Sequence, residues 1–173
     1  VLYGYPNKII STPLPGTSVP PWFAEGVAQY MYNQVYYDFW DSHRDMVLRD
    51  AVLHDKMYSY NEMNTFGKKG IGNELVYNQG FAFVRYIVSR YGESILKDIT
   101  HHLSKPYIYS MNKAFRKATK DNIFEVFSDF KDYLINQYSK YKDMENQRLV
   151  FIESEGTANI NPVWSDDGKR LLF

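Results

Sequence analysis

A glutamate near the start of a predicted helix is the first residue of this chain that could do chemistry. Glu25 lies in the segment 21–30, PWFAEGVAQY, which begins with a proline and has apolar residues at helical spacing. The small residues Gly26 and Ala28 predict that a second helix packs closely here, since a glycine inside a helix otherwise costs about 1 kcal/mol relative to alanine. A carboxylate at this position can bind a metal ion or interact with the helix dipole, and taken alone the dipole explains it better.

A tyrosine at the start of a second predicted helix is the other candidate. Tyr77 begins the stretch 77–92, YNQGFAFVRYIVSRYG, in which apolar residues recur at helical spacing and Gly92 stands where a helix C′ glycine belongs. A phenol can donate a hydrogen bond to a developing oxyanion. Tyr77 is one of 16 tyrosines, and a structural role at the start of a helix accounts for it about as well.

Together the two segments resemble the gluzincin zinc peptidases. In that family a Trp-x-x-Glu-Gly-x-Ala helix, matched here by residues 22–28, follows a His-Glu-x-x-His helix and supplies the glutamate that completes a His₂Glu zinc site. A Tyr-x-x-Gly motif, matched by residues 77–80, opens a later helix, and its tyrosine stabilises the oxyanion of the tetrahedral intermediate. The resemblance extends over about residues 15–140 and implies that Glu25 is a zinc ligand and that Tyr77 is a catalytic residue.

The His-Glu-x-x-His motif itself does not occur in this chain. The four histidines, His43, His54, His101 and His102, have neither its spacing nor its glutamate. Because the family places that helix before the zinc glutamate, we expect it upstream of Val1, with the two histidine ligands, the general base and bound zinc found only in the complete domain. We therefore expect the isolated chain to be inactive.

The last residues resemble a different family. Residues 161–173, NPVWSDDGKRLLF, place an Asp-Gly turn between two short β-prone segments, which predicts a β-hairpin. The segment is similar to the Pro-x-Trp-Ser-x-Asp-Gly-Lys-x-Leu-x-Phe blade signature of TolB-like β-propellers, with Asp166 in place of a proline. A lone hairpin is marginal in water, so we expect the propeller to continue beyond residue 173.

Periodicity and the cap and turn residues predict a mainly α fold with a short C-terminal β segment. We assign residues 1–145 to the helical C-terminal part of a gluzincin-like peptidase domain and residues 146–173 to the first strands of a TolB-like propeller. Asp121 is the predicted N-cap of the last helix. The predicted helices cover residues 21–36, 41–56, 74–91, 93–103, 110–119 and 122–143, with an extended segment at residues 1–21, a loop at 57–73 and a strand at 148–153.

Composition and charge exclude several classes of protein. Hydrophobic residues make up 45% and charged residues 23% of the chain, as in folded globular proteins. Because 20 Lys and Arg balance 20 Asp and Glu, nothing favours nucleic acid as a partner. Cysteine is absent, which excludes disulfides and thiol chemistry, and no apolar run is long enough to span a membrane. A basic stripe is expected to be a solvated helix face; it consists of Lys113, Arg116, Lys117 and Lys120.

The two resemblances imply a peptide or protein substrate, a protein partner through the propeller, and an extracytoplasmic location in a bacterium, either the periplasm or the cell surface. The alternative is a non-catalytic, peptidase-like scaffold or interaction module attached to a β-propeller. A third hypothesis is a helical adaptor in which the Trp-x-x-Glu-Gly match arises by chance. The presence or absence of His-Glu-x-x-His before Val1 separates the first two hypotheses.

Overall fold

Six α-helices account for most of the residues that the computed structural model describes, which are 2–4, 8–10, 19–34, 39–146 and 163–172. The mainly α fold class is therefore confirmed. The helices are α1 (Pro21–Gln34), α2 (Ser42–Leu53), α3 (Gly72–Tyr91), α4 (Ser94–Leu103), α5 (Met111–Thr119) and α6 (Ile123–Tyr138), with 3-10 turns at Glu62–Asn64 and Ser139–Asn146. The strands are β1 (Leu2–Gly4), β2 (Lys8–Ile10), β3 (Val163–Trp164) and β4 (Leu171–Leu172).

The chain forms two compact units, Val1–Lys140 and Tyr141–Phe173. The first unit contains all six described α-helices and the strands β1 and β2, and the second contains the strands β3 and β4. Among the described residues, no helix combines the length and the apolar character that crossing a bilayer requires.

Helix α3 is the central helix of the first unit and packs against α1, α2, α4 and α6. Its residue Phe83 is fully buried, with its ring centroid 5.0 Å from that of Trp22 in α1 and 5.0 Å from that of Phe130 in α6. Aromatic pairs at such distances contribute about 0.5–1.5 kcal/mol each beyond the burial of their area. These aromatic contacts join α1, α3 and α6.

The start of α6 differs from the prediction. Its N-cap is Asn122, whose side-chain oxygen accepts a hydrogen bond from the Phe124 backbone N–H at 3.1 Å, and not Asp121. The Asp121 carboxylate instead accepts a hydrogen bond from the Tyr91 hydroxyl at the end of α3. Because that partner is distant in sequence, the local pattern could not indicate it.

Two helix ends also differ from the predicted ones. Helix α2 ends at Leu53 rather than at residue 56, and α6 gives way to a 3-10 turn after Tyr138 rather than at residue 143. The predicted last residues of α1, 35 and 36, lie outside the described part of the chain. The predicted C-terminal glycine of α3 is confirmed, since Gly92 has φ +85° and its N–H donates to the carbonyl of Val88.

The predicted extended segment at the N-terminus contains paired strands. Strands β1 and β2 are antiparallel, with Leu2 opposite Ile10 and Gly4 opposite Lys8. The extended conformation was predicted but the pairing was not, because strands of three residues are too short to carry a periodic signal.

The second unit contains the predicted Asp-Gly hairpin, in which β3 and β4 pair antiparallel. Gly168 has φ +66°, a left-handed conformation that favours glycine and that the turn requires. The Asp167 carboxylate accepts a hydrogen bond from the Ser165 hydroxyl at 2.6 Å, which lowers the pKa of Asp167. The hairpin is thus confirmed, and the predicted strand at residues 148–153 lies outside the described residues.

Candidate functional site

The helices that carry the two candidate residues, α1 and α3, touch backbone to backbone. A Cβ atom on Gly26 would lie 2.7 Å from the backbone oxygen of Gly80, and one on Gly80 would lie 2.7 Å from the backbone oxygen of Trp22. Since a backbone oxygen cannot move aside as a flexible side chain can, a side chain at either glycine would push the helices apart. The close approach predicted at Gly26 is confirmed, and its counterpart is the glycine of the Tyr-x-x-Gly motif.

Trp22 anchors the start of α1, three residues before Glu25. Its side chain is fully buried, and its ring centroid lies 5.0 Å from that of Phe83 and 5.8 Å from that of Tyr60. Burial raises the pKa of the Tyr60 phenol. Packing around Trp22 and the glycine contact at Gly26 therefore hold the backbone on both sides of Glu25.

Glu25 is the fifth residue of α1, and it is partly exposed. The dipole of a helix acts most strongly on a carboxylate within the first turn, and Glu25 lies beyond that turn. The dipole therefore explains Glu25 less well than the sequence alone suggested. Within the described part of the chain, no hydrogen bond or ion pair involves the Glu25 carboxylate. Its oxygens are available to a ligand.

Tyr77 lies in the second turn of α3, with its ring stacked on that of Phe66. The two ring centroids are 5.2 Å apart and the ring planes differ by 23°. The stack restrains the orientation of the phenol, which is partly buried. Among the described residues the Tyr77 hydroxyl has no hydrogen-bond partner, so its donor group is available.

An open cleft of about 460 Å³ lies beside Tyr77, where α1, α2 and α3 meet. It is lined by residues with polar side chains, which are Gln29, Asp41, His43, Arg44, Glu74, Tyr77 and Asn78. Glu25 is not part of that lining, whereas Gln29, one turn further along the same face of α1, is. The structure thus places Tyr77 in the cleft wall and Glu25 about one helical turn away from it.

Arg44 joins the three helices around the cleft. Its Nη1 donates a hydrogen bond to the side-chain oxygen of the fully buried Asn78 at 2.9 Å. In the amide orientation that satisfies both polar groups of Gln29, its side-chain oxygen accepts a hydrogen bond from Nη1 of Arg44 at 3.1 Å. The side-chain nitrogen of Gln29 then donates a hydrogen bond to the backbone oxygen of Tyr77 at 3.3 Å. The helical turn that carries Tyr77 is therefore tied to both α1 and α2.

Gln79 fastens the loop that carries Phe66 to α3. Its fully buried amide accepts a hydrogen bond from the Tyr58 N–H at 3.1 Å and donates one to the Tyr58 carbonyl at 2.8 Å. Asn78 and Gln79 were not predicted as site residues. Two consecutive amides between the apolar stretches 75–76 and 81–84 of the predicted helix were the available signal, because buried amides need partners on neighbouring elements.

The histidines of the described chain do not build a metal site. His43 lies in the cleft lining with its Nε2 2.8 Å from Glu74 Oε1, and His101 is exposed near the end of α4. Across the parts of the chain that the structure describes, no three His, Asp or Glu side chains are grouped so that they could hold an ion. Glu25 can supply one carboxylate, and a tetrahedral zinc site would need its other protein ligands from elsewhere.

No protein-family model, no curated protein and no solved structure matches this chain. The class of protein is therefore defined by the structure itself: a mainly helical unit built around α3, with an open polar cleft, joined to a unit that contains a β-hairpin. The roles of Glu25 and Tyr77 rest on their motifs and on the geometry described above.

Proposed function

We propose that this chain is the C-terminal helical part of a gluzincin-like zinc metallopeptidase, followed by the first strands of a TolB-like β-propeller. Glu25 is then the third zinc ligand, and Tyr77 stabilises the oxyanion. The observation that carries this proposal is the contact between Gly26 and Gly80, which sets the two motifs that resemble the family on facing helices. Direct backbone contact leaves the two helices little freedom to slide, so the motifs keep a defined relation to each other.

The surroundings of the two functional groups give further support. Within the described residues, neither the Glu25 carboxylate nor the Tyr77 hydroxyl has a hydrogen-bond partner, although both residues are partly buried. Both groups can therefore bind a ligand in place of solvent. The ring of Phe66 limits the directions in which the Tyr77 hydroxyl can point.

Zinc, when bound, would polarise the scissile carbonyl and lower the pKa of a bound water. Glu25 would hold the ion with its carboxylate. Tyr77 would donate a hydrogen bond to the carbonyl oxygen as that oxygen gains negative charge, and this bond strengthens in the transition state. In this role the phenol keeps its proton. Phe66 covers one face of the Tyr77 ring. Tyr77 also lines the open cleft, which would give a peptide access to its hydroxyl.

The two histidine ligands and the general base would come from a His-Glu-x-x-His helix outside these 173 residues. The substrate would be a peptide or a protein, and the propeller would bind a protein partner. The protein would act outside the bacterial cytoplasm, in the periplasm or at the cell surface. These parts of the proposed function follow from the two family resemblances.

Zinc content provides the test, measured by elemental mass spectrometry on the complete protein from its natural start through the propeller. We expect about one zinc per chain, lost in Glu25→Ala and retained in Tyr77→Phe. Asp98→Ala removes an exposed carboxylate from α4, and as a matched control it should keep the zinc. A wild-type protein without zinc, or equal loss of zinc in Glu25→Ala and Tyr77→Phe, would contradict the assigned roles.

A second candidate function is a non-catalytic, peptidase-like scaffold attached to the propeller. The position of Glu25 outside the lining of the cleft favours it, because a zinc ligand is expected at the wall of the substrate site. A scaffold would bind a peptide segment in the cleft without cleaving it. A zinc-free complete protein whose peptide binding is weakened by Arg44→Ala and unchanged by Glu25→Ala would identify this function.

A further inference from the structure

One stretch of the chain is strongly cationic although the whole chain has no net charge. Between Asp98 and Asp121 there is no acidic residue. The basic residues of that stretch are Lys105, Lys113, Arg116, Lys117 and Lys120. A local excess of one sign creates a positive potential at the surface that the average over the whole chain conceals.

Helix α5 and its C-cap residue Lys120 present four of these cations on one side. They form what we call the cationic face of α5: Lys113, Arg116, Lys117 and Lys120. Their spacing of three and four residues places them side by side, all four are exposed, and all four line one shallow depression of the surface. The opposite side of α5 is buried through Met111, Ala114 and Phe115, and this packing fixes the direction in which the cations point.

No acidic side chain of the described chain forms an ion pair with the cationic face. Lys113 donates to a neutral acceptor, the backbone oxygen of Tyr107, at 3.3 Å. Asp121 accepts from the Tyr91 hydroxyl and lies 4.0 Å from Arg90. The helix dipole favours cations in the last turn, but it does not account for Lys113 in the first. Four cations within about 11 Å along the helix axis repel one another, so an anionic partner would stabilise this face.

Two exposed tyrosines lie next to the cationic face, in the loop between α4 and α5. Tyr107 is 61% exposed and Tyr109 is 52% exposed, while Ile108 between them is 1% exposed. The buried isoleucine anchors the loop, and the hydrogen bond from Lys113 attaches it to α5. Tyrosine is enriched at the interface between lipid and water, because its ring is apolar and its hydroxyl remains hydrated.

We propose that the cationic face of α5, together with Tyr107 and Tyr109, docks this protein on a membrane surface that contains anionic phospholipids. The lysines and the arginine contact headgroup phosphates, and the two tyrosine rings enter the interfacial region. The cations lie on one short helix and not along a groove that could follow a nucleic-acid backbone, which favours a lipid surface over a single-stranded nucleic acid. Membrane docking of this kind is independent of the peptidase chemistry.

Co-sedimentation with vesicles tests the docking. The purified chain is mixed with vesicles of phosphatidylcholine alone or of phosphatidylcholine with phosphatidylglycerol, at low and at high salt. We expect binding to the anionic vesicles only, weakened by salt because screening shortens the range of the attraction. The variant K113Q/R116Q/K117Q/K120Q should bind up to about a thousandfold more weakly, at roughly 1 kcal/mol for each basic residue. Tyr107→Ser combined with Tyr109→Ser should weaken binding by roughly tenfold.

A matched control changes the net charge equally at four other exposed lysines. It is K56Q/K69Q/K142Q/K169Q, and it should keep its affinity for the anionic vesicles. Far-UV circular dichroism checks the fold of each variant, and K113Q/K117Q replaces the quadruple variant if that one loses helix. Failure of the wild-type chain to bind anionic vesicles, equal loss in the two quadruple variants, or tighter binding to a single-stranded oligonucleotide than to the vesicles would each overturn the proposal.

Discussion

The hydroxyl of Tyr138 donates a hydrogen bond to the carboxylate of Asp45 at 2.7 Å and so joins the end of α6 to the first turn of α2, 93 residues earlier in the chain. Tyr138 is only 2% exposed, and Asp45 also pairs with Arg49 at 2.7 Å. Burial, followed by the bond to Asp45, raises the pKa of Tyr138. The folded protein therefore holds this phenolic proton more tightly than the unfolded chain does.

The free energy of unfolding is expected to fall as the pH rises above about 10, the ordinary pKa of tyrosine. Burial also raises the pKa of Tyr60. Burial and a hydrogen bond to Asp121 together raise the pKa of Tyr91. Above this pH the unfolded chain releases protons that the folded chain retains, so each deeply buried tyrosine lowers stability by up to about 1.4 kcal/mol per pH unit. Urea unfolding from about pH 8 to pH 11 measures the slope. Tyr138→Phe should make the fall of the unfolding free energy with pH shallower. An unchanged slope would show that the raised pKa of Tyr138 does not contribute to it.

Gly80→Ala is expected to lower the free energy of unfolding by about 2–4 kcal/mol, because the new Cβ would meet the backbone oxygen of Trp22 at 2.7 Å. At an ordinary helix position the same change would stabilise the protein by about 1 kcal/mol, so the sign of the effect is diagnostic. Ser128→Ala, at an exposed position within α6, is the control and should change stability by less than about 0.5 kcal/mol. Urea denaturation measures both, and a stabilised Gly80→Ala would refute the close contact.

Gln79→Met is expected to cost about 2–3 kcal/mol of stability, because it leaves the N–H and the carbonyl of Tyr58 without their partner while it preserves the side-chain volume. The loop that carries Phe66 should loosen as well, so the Tyr58 amide should exchange its hydrogen faster. Gln137→Met, at an exposed position of α6, is the matched control and should have little effect. Unchanged exchange at Tyr58 would show that Gln79 does not fasten the loop.

If the complete protein is the proposed peptidase, Tyr77→Phe is expected to lower the turnover number by about 10²–10³-fold, with zinc retained and KM little changed, because the proposed hydrogen bond acts in the transition state. Phe66→Leu keeps that hydroxyl and removes only the stacked ring, so it should cause a smaller fall of roughly tenfold. Tyr133→Phe, at an exposed tyrosine of α6, serves as the control. Turnover that survives Tyr77→Phe would remove Tyr77 from the chemistry.

The helices were largely predictable because their signals are local. The apolar period and Gly92 located α3 to within two residues of its observed bounds, and the Asp-Gly pair located the C-terminal turn at Gly168. The N-cap of α6 was wrongly assigned to Asp121 because its carboxylate is engaged by Tyr91, a partner that folding alone brings close. Local preference fails where a tertiary contact competes for the same side chain.

The candidate site was predictable only in part. Glu25 and Tyr77 were identified from their motifs, whereas no motif marked Arg44. In the structure Arg44 bonds to the buried Asn78 and extends along the cleft wall. Buried polar partners of this kind lie on different helices, so no periodic signal within one helix reveals them.

The sequence by itself determined the helices, the hairpin turn and the need for a close approach at Gly26, because these depend on side-chain period, on backbone conformation and on the absence of a Cβ atom. The tertiary structure alone decided that Gly80 is the opposing residue and that Tyr77 lines a cleft from which Glu25 is about one turn removed. These relations depend on which faces of α1, α2 and α3 meet, and the packing of the whole core selects those faces.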